Sequence, residues 1–279
     1  MYESSFQLRR PIVLAAFEGW NDAGESASGA LSHLLSSWKN SLSAITDPED
    51  YYDFQVNRPQ IRVDDKVIRE IIWPNTAVYE VSTPQFHNDF VIVKGIEPSM
   101  KWRTFATEIL DLADDYEASM LITLGALLAD APHSRPIVVT GTGSHPDVSA
   151  RLGVEVSKYE GPTGIIGILQ DGALRRGLDA VSLWASVPHY VSTPPCPKAT
   201  LALINALEDF LEISIDQGDL PERAESWEKQ VNQMAAEDTE VGDYVKQLER
   251  SKDESDLPSI SGEAIAREVE RFLRRNPEI

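Results

Sequence analysis

Six residues near predicted strand ends carry side chains that are suited to ligand binding, proton transfer or an interface. They are Glu18, Trp20, Asn21, Asp22, Glu97 and His189. Because the carboxyl ends of parallel strands lie along one edge of a sheet, we expect these residues to share that edge. Carboxylates and an imidazole can act as general acid and base there, and Trp20 offers a ring on which a ligand can stack.

The ionisable members of this set also have a structural interpretation. Asp22 stands where a helix is predicted to begin, with Glu25 three residues later, which is the spacing of a capping box. Glu97 precedes a predicted helix and is close enough in sequence to pair with Lys101. His189 can be a hydrogen-bonded polar residue with no catalytic role. The residue types alone leave both interpretations open.

The other patterns typical of catalysis or metal binding are incomplete in this sequence. No G-x-S-x-G motif occurs, and the single cysteine, Cys196, lies between prolines that lack the backbone donors needed to stabilise a thiolate. The five histidines have no ligand spacing. Residues 141–143 resemble half of a phosphate-binding loop, but Pro146 replaces the third glycine, which favours a tight turn. We therefore predict no catalytic residue, no metal and no cofactor.

Composition and charge restrict the class of protein. The chain has 279 residues, 42% of them hydrophobic, and a formal net charge of −20. That charge argues against binding to nucleic acid or to anionic membranes, both of which require clustered lysine and arginine. No apolar run approaches the ~20 residues of a membrane-spanning helix, and the first residues do not resemble a signal peptide. We therefore expect a soluble, cytoplasmic protein.

Hydrophobic periodicity predicts an α/β fold. Seven short apolar runs have strand character, and most are continuous rather than alternating, as in strands covered on both faces. They are Ile12–Ala16, Ala77–Val81, Phe90–Val93, Met120–Leu124, Ile137–Thr140, Ile165–Leu169 and Val181–Val187. Helical patterns lie between them at Asp22–Trp38, Pro98–Tyr116 and Lys198–Ile213. This alternation predicts a largely parallel central sheet flanked by helices.

We predict one α/β domain over residues 1–215 and an acidic helical C-terminal extension over residues 216–279. Residues 39–75 break the α/β rhythm and predict a β-hairpin excursion, with strands at 61–63 and 67–72 and the tip at 64–66. The extension carries 17 acidic and 9 basic residues. Its apolar spacing predicts three short helices, the third starting near Ser261. A mobile linker is predicted over Ser251–Pro258.

The segment Phe17–Gly24 resembles the N-terminal signature of the PAC2 family, the proteasome-assembly-chaperone-like proteins. Further matches follow in the same order along most of the chain. They include Tyr52-Asp53, Arg58-Pro59, Trp73-Pro74, Gly95–Pro98, Leu124–Ala126, Thr140-Gly141, Tyr159–Gly164, Val187–Tyr190 and Ala264–Arg274. The resemblance is greatest to the long actinobacterial branch, which carries a helical C-terminal extension.

This resemblance implies a phosphorylase/hydrolase-like α/β fold and self-association, with a homotrimer as the expected state. Eukaryotic relatives are scaffolds that help to assemble the proteasome α-ring. Some relatives dock on the proteasome through a C-terminal hydrophobic–Tyr–X tail. The chain ends in Arg275–Ile279 without such a tail, so docking of that kind is not expected.

Two hypotheses follow from the sequence. The first is a non-catalytic homo-oligomeric scaffold or protein-assembly chaperone, with the segment 51–75 and the C-terminal helices as contact surfaces. The alternative is a protein that binds a nucleoside- or phosphate-type ligand, or a hydrolase- or phosphorylase-like enzyme. In that case the carboxylate and histidine cluster at the sheet edge would be the site.

Overall fold

Ten strands in two sheets organise the part of the chain that the structure describes. The computed structural model describes residues 6–63, 68–143, 145–191 and 193–256. The larger sheet has eight strands in the order β2-β5-β6-β1-β7-β10-β8-β9, and β3 and β4 form a separate two-stranded sheet. The strands are β1 Ile12–Glu18, β2 Lys39–Ile45, β3 Gln60–Val63, β4 Arg69–Ile72, β5 Thr76–Ser82, β6 Phe90–Ile96, β7 Met120–Ala129, β8 Val139–Gly143, β9 Glu155–Val156 and β10 Ala180–Pro188.

Helices flank the larger sheet and alternate with many of its strands. Within the described ranges they are α1 Ser26–Ser37, α2 Pro48–Tyr51, α3 Trp102–Asp115, α4 Pro146–Leu152, α5 Ile165–Arg176, α6 Pro197–Leu211, α7 Leu220–Glu237 and α8 Thr239–Asp256. A short 3₁₀ turn, Ala23–Glu25, precedes α1. The fold is therefore mixed α/β, as the hydrophobic pattern predicts.

The sheet is mostly parallel and has an antiparallel edge. Strand β1 pairs in parallel with β6 and with β7, whereas β5 runs antiparallel to both β6 and β2. Six consecutive residues of β1, Ile12–Phe17, are buried. A strand with both of its faces covered has this pattern, so the continuous apolar run predicts its central place correctly.

The chain forms two compact units. The first contains residues 1–21, 34–124 and 141–182, and the second contains residues 22–33, 125–140 and 183–279. In the first unit, the ring of Phe17 on β1 packs against Phe105 of α3, with 5.7 Å between the ring centroids. In the second unit, α6 packs against α7, which in turn packs against α8. The domain boundary at residue 215 stays a prediction.

The predicted strand Ile165–Leu169 is wrong, because these residues form the first turns of α5. The buried members of α5 are Ile165, Ile166, Leu169 and Ala173. Their spacing follows one face of a helix, and the apolar run alone was too short to distinguish a helix from a buried strand. The linker predicted over Ser251–Pro258 is also wrong for residues 251–256, which complete α8.

The predicted hairpin is confirmed in the first unit. Strands β3 and β4 pair antiparallel from Gln60↔Ile72 to Val63↔Arg69. Its predicted tip at 64–66 lies outside the described residues. Strand β2 was not predicted, because its sequence KNSLSAI is polar and only Ser43 in it is buried.

The first two C-terminal helices are confirmed as α7 and α8, and the third, from Ser261 onwards, lies outside the described residues. Trp227 and Val231 of α7 and Val245 and Leu248 of α8 are buried. No helix in the described ranges is both long enough and apolar enough to cross a membrane. The predicted cytoplasmic location is not tested by that observation.

Candidate functional site

The loop after β1 positions four of the six candidate residues. Gly19 has φ of 114°, a backbone conformation that favours glycine, and this turn carries the chain from Glu18 to Asn21. The backbone N–H of Glu97 donates to the carbonyl of Glu18 at 3.0 Å, which joins the ends of β1 and β6. Glu18 also accepts a hydrogen bond from Lys94 Nζ on β6 at 3.2 Å.

Asn21 and Glu97 meet at the N-terminus of α5. Asn21 Nδ2 donates to Glu97 Oε1 at 2.6 Å, and the backbone N–H of Ile165 donates to the same oxygen at 2.8 Å. Glu97 therefore caps α5, where an anionic side chain also interacts favourably with the helix dipole. The alternative pairing with Lys101 is wrong, because Lys101 Nζ donates to Asp50 Oδ1 at 2.7 Å.

The buried side chain of Asn21 has one unused polar atom. Asn21 is 1% exposed, and its Oδ1 has no hydrogen-bond partner among the residues that the structure describes. Gly164 lies directly against this pair. A Cβ at position 164 would collide with Asn21 Oδ1 and would lie 2.6 Å from Glu97 Oε1. The close approach of α5 to Asn21 and Glu97 therefore requires glycine at its N-cap.

Asp22 caps α1 in the second unit. Its Oδ1 accepts hydrogen bonds from the backbone N–H groups of Ala27 at 2.6 Å and Ser28 at 3.3 Å. The capping interpretation is therefore confirmed, although the predicted capping box with Glu25 is wrong. Glu25 has φ of 49° in the 3₁₀ turn, so α1 begins only at Ser26.

Trp20 is the exposed member of the set. Its side chain is 63% exposed, between Gly19 and the buried Asn21. An exposed indole is available for stacking with a ligand or for contact with a protein, since its large apolar surface has one N–H donor at its edge.

His189 lies in the second unit, immediately after β10. Its Nδ1 is 3.2 Å from Asp130 Oδ1, and its ring packs edge-on against Tyr190 and Tyr244. The backbone N–H of His189 donates to the carbonyl of Ala129 at 3.1 Å. Within the first unit, the structure brings together Glu18, Asn21 and Glu97, and it places Asp22 and His189 among residues of the second unit.

A buried histidine in the second unit was missed by the sequence analysis. His133 is 1% exposed, and its Nδ1 lies 2.7 Å from Tyr190 Oη while its Nε2 lies 3.2 Å from Asn232 Oδ1. The neutral imidazole with its proton on Nε2 satisfies both contacts, because the Tyr190 hydroxyl then donates to Nδ1. Burial lowers the pKa of His133, and the nearby Lys198 lowers it further. His133 follows β7 by four residues, and this position near a strand end could have identified it as a candidate.

Two further groups have structural roles. Burial raises the pKa of the Cys196 thiol to about 11, which disfavours the reactive thiolate. Residues 141–143 belong to β8 rather than to a phosphate-binding loop. Among the described residues, no cluster of three or more histidine, cysteine or acidic side chains has a geometry that could hold a metal ion.

Comparison with known proteins identifies the family. The sequence profile of the PAC2 family matches residues 16–235. The chain belongs to the PAC2 family. A PAC2 family protein from Streptomyces avermitilis is 51% identical, with 84% of this chain and 99% of that chain covered and a TM-score of 0.78. A proteasome-assembly chaperone homologue from Mycobacterium tuberculosis is 46% identical, with the same coverage of 84% and 99% and a TM-score of 0.76.

A more distant solved structure shares the fold of this PAC2 protein. It is PbaB from Pyrococcus furiosus, an archaeal proteasome activator, which is 21% identical with a TM-score of 0.64 over 83% of this chain and 96% of that chain. No curated protein matched the sequence. The Asn21–Glu97 pair of this PAC2 protein lies within the matched range and links β1, β6 and α5.

Proposed function

We propose that this PAC2 protein is a non-catalytic, homo-oligomeric scaffold of the protein-assembly-chaperone type, with a trimer as its expected state. The likeness to the proteasome-assembly chaperone homologue carries the proposal, since it reaches 46% identity over 84% of this chain. The expected partner is a protein, and a proteasome subunit is the first to test. We expect the protein to bind this partner in a fixed ratio and to release it unchanged.

The contacts of the candidate carboxylates support this proposal. Glu97 caps α5 and holds Asn21, Asp22 caps α1, and Glu18 pairs with Lys94. Glu97 and Asp22 each stabilise the start of a helix, and Glu18 joins the neighbouring strands β1 and β6. Such contacts suit a rigid scaffold, whose binding surface depends on the positions of its helices and strands.

The first test is to measure mass and stoichiometry. Sedimentation velocity and native mass spectrometry of the purified full chain are expected to give one closed oligomer. Capture of the tagged chain from its native lysate at near-physiological salt is expected to retain one protein in a fixed ratio. An unrelated protein of similar net charge is the control for nonspecific electrostatic binding. A monomer at micromolar concentration with no retained protein would contradict the proposal.

A second candidate function rests on the unpartnered Asn21 Oδ1 in the first unit. A buried acceptor without a partner loses the hydrogen bond that it makes to water, and a ligand or a bound water that donates to it would restore that bond. Glu97 contacts the Asn21 side chain through a hydrogen bond, and the exposed Trp20 precedes Asn21 in the chain. We therefore keep a nucleoside- or phosphate-type ligand at this strand edge as the alternative.

The alternative is tested by titrating the protein with nucleosides and inorganic phosphate and recording heteronuclear NMR spectra. Ligand binding here predicts shifts confined to residues near Asn21 and Trp20, and loss of affinity in Trp20→Ala. Trp73→Ala is a matched control, because Trp73 is another exposed tryptophan of the same unit and lies just after β4. If the spectra do not change, or if both variants behave alike, the carboxylates and Asn21 are structural.

A further inference from the structure

The hairpin β3–β4 has two chemically different faces. In an antiparallel pair, directly opposed residues point to the same side of the sheet, and successive residues alternate sides. The register pairs Ile61 with Ile71 and Val63 with Arg69, so these four side chains share one face. We call it the apolar hairpin face. The opposite face carries Gln60, Arg62, Glu70 and Ile72.

The apolar hairpin face is open to solvent. Ile61 is 64% exposed, Val63 is 53% exposed and Ile71 is 55% exposed. A two-stranded sheet commonly has one face in water and one face packed against other residues. The face with Gln60, Arg62 and Glu70 is suited to water, so we expect the apolar hairpin face to be covered in the functional state. A contiguous apolar patch of this kind on a protein surface marks an interaction site. The neighbouring Phe54 and Trp73, whose ring centroids lie 5.0 Å apart, extend the apolar character beyond the hairpin.

The charge on this face selects the partner. Arg69 is exposed among the apolar residues, and none of the other residues paired in the described part of the hairpin places a carboxylate on this face. None of the ion pairs found in the described ranges includes Arg69. A partner surface must therefore bring apolar groups for the isoleucines and an acidic group for Arg69, because a buried unpaired guanidinium is strongly unfavourable.

We infer that the apolar hairpin face binds a second copy of this chain, at an acidic surface distinct from the hairpin. This inference rests on the proposed self-association and identifies the surface that mediates it. The chain has 45 acidic and 25 basic residues, so another copy offers abundant carboxylates for Arg69. The pairing of a basic, apolar face with an acidic surface is electrostatically complementary.

The positive charge of Arg69 also predicts the symmetry of the assembly. A two-fold contact of the face with itself would bring two Arg69 guanidinium groups together, and the described residues of the face supply no carboxylate between them. A contact with a different surface is head-to-tail, and repeated head-to-tail contacts close into a ring when the rotation permits. A cyclic trimer meets this requirement, whereas a dimer joined hairpin to hairpin does not. Specific interfaces bury about 800 Å² per partner, so the hairpin is the apolar centre of the contact rather than all of it.

The test compares oligomeric mass across variants of the two faces. I61S/I71S removes apolar groups from the apolar face, and R69E reverses its charge. We expect each to raise the concentration at half-dissociation at least about tenfold, because buried apolar and charged groups at the centre of an interface dominate its affinity. Sedimentation velocity over a dilution series measures that concentration. R62E is the matched control, since it makes the same charge change on the opposite face of the same hairpin.

The possible outcomes separate this inference from the proposed function. A wild-type oligomer that dissociates in I61S/I71S and in R69E, but not in R62E, supports the inference. An oligomer that persists unchanged in both apolar-face variants overturns it and leaves self-association standing. A wild-type monomer overturns both. A wild-type dimer overturns the head-to-tail arrangement. Far-ultraviolet circular dichroism confirms that each variant is folded, which is expected because the substituted side chains are exposed.

Discussion

The hairpin β3–β4 and the helix pair α7–α8 are both amphipathic additions to the α/β fold, and they differ in what covers their apolar side. On α7 and α8 most of the apolar residues are buried or half-buried within the second unit, with Trp227 7% exposed and Leu248 9% exposed, although Met234 of α7 is 40% exposed. On the hairpin, Ile61 and Ile71 are more than half exposed in the first unit. The helices therefore contribute to the stability of the chain itself, and the hairpin keeps its apolar area available to another molecule.

The helix pair also has more polar side-chain contacts than the hairpin. Residues 130–135 contact both helices through side chains. His133 Nε2 lies 3.2 Å from Asn232 Oδ1 of α7. On α8, Arg135 pairs with Asp253 at 2.7 Å and Asp130 accepts from Tyr244 Oη at 3.1 Å. Ser134 also hydrogen bonds to Glu249 of α8. No ion pair found in the described ranges involves an arginine of the hairpin. An amphipathic element with partners for both its apolar and its polar side chains is part of the fold, whereas one without them is a candidate interface.

Substitution of one tryptophan in each region gives the largest contrast. Trp227→Ala is expected to lower the free energy of unfolding by about 3–5 kcal/mol, because it leaves a cavity beneath α7. Trp73→Ala, at a site 43% exposed, is expected to cost less than about 1 kcal/mol. Urea unfolding followed by far-ultraviolet circular dichroism measures both values. Equal losses would show that the two regions are packed alike.

A partly buried ion pair between α6 and α7 gives the next largest effect. Lys198 Nζ donates to Glu228 at 2.6 Å and to the carbonyl of His133 at 2.5 Å, and its side chain is only 16% exposed. Lys198→Ala leaves both acceptors without that donor and is expected to cost about 2 kcal/mol. Lys229→Ala breaks an exposed pair with Glu225 on the same helix and is expected to lower the free energy of unfolding much less, because exposed ion pairs contribute little to stability. Equal losses in urea titrations would mean that the polar contacts do not fix α7.

Sequence patterns predicted the sheet well because its strands are buried on both faces. Continuous apolar runs identified β1, β6 and β7. Most residues of these strands are buried, so hydrophobicity alone was enough to predict them. The patterns failed at α5, where a short apolar run fits a helix and a strand equally well, and at β2, a polar edge strand. In both cases the deciding information was packing against residues distant in the chain.

The candidate site was predicted only in its local part. Glu18, Asn21 and Asp22 were recognisable because they follow an apolar strand. The contact of Asn21 with Glu97 spans 76 residues, and that of Ile165 with Glu97 spans 68. Such separations carry no sequence signal without knowledge of the strand order. The network around His133 depends in the same way on helices that begin about a hundred residues later.

The pH dependence of stability tests whether α7 is held by a neutral His133. Burial lowers the folded-state pKa of His133, whereas the unfolded chain has an ordinary histidine pKa of about 6.5. Between these two pKa values the unfolded state binds more protons than the folded state. The contribution of His133 to the free energy of unfolding is therefore fully present above about pH 6.5 and is lost as the pH drops toward the folded-state pKa. The charged groups that face this histidine are Lys198, Glu228 and Glu249.

The measurement is the urea midpoint between about pH 7.5 and pH 5.5. The wild type is expected to lose stability on acidification in this range, and His133→Gln is expected to lose less. The exposed His87→Gln is the control and should keep the wild-type slope. Asp89 acts in a separate window, because hydrogen bonds from Arg9 and Thr83 lower its pKa to about 2 despite its burial. An unchanged slope in His133→Gln would show that this histidine does not couple protonation to folding.

Substitution of Ile61 is expected to have the smallest effect on the stability of the monomer and a large effect on self-association. Ile61→Ser removes one cross-strand neighbour of Ile71 and is expected to change the unfolding free energy of the monomer by less than about 1 kcal/mol. The measurement requires protein diluted below its dissociation concentration, because any oligomer adds binding energy to the apparent stability. At higher concentration the wild type should become more stable while Ile61→Ser should not. That dependence on concentration distinguishes a face covered by a second copy from one that only supports the hairpin, since a purely internal role would lower stability equally at every concentration.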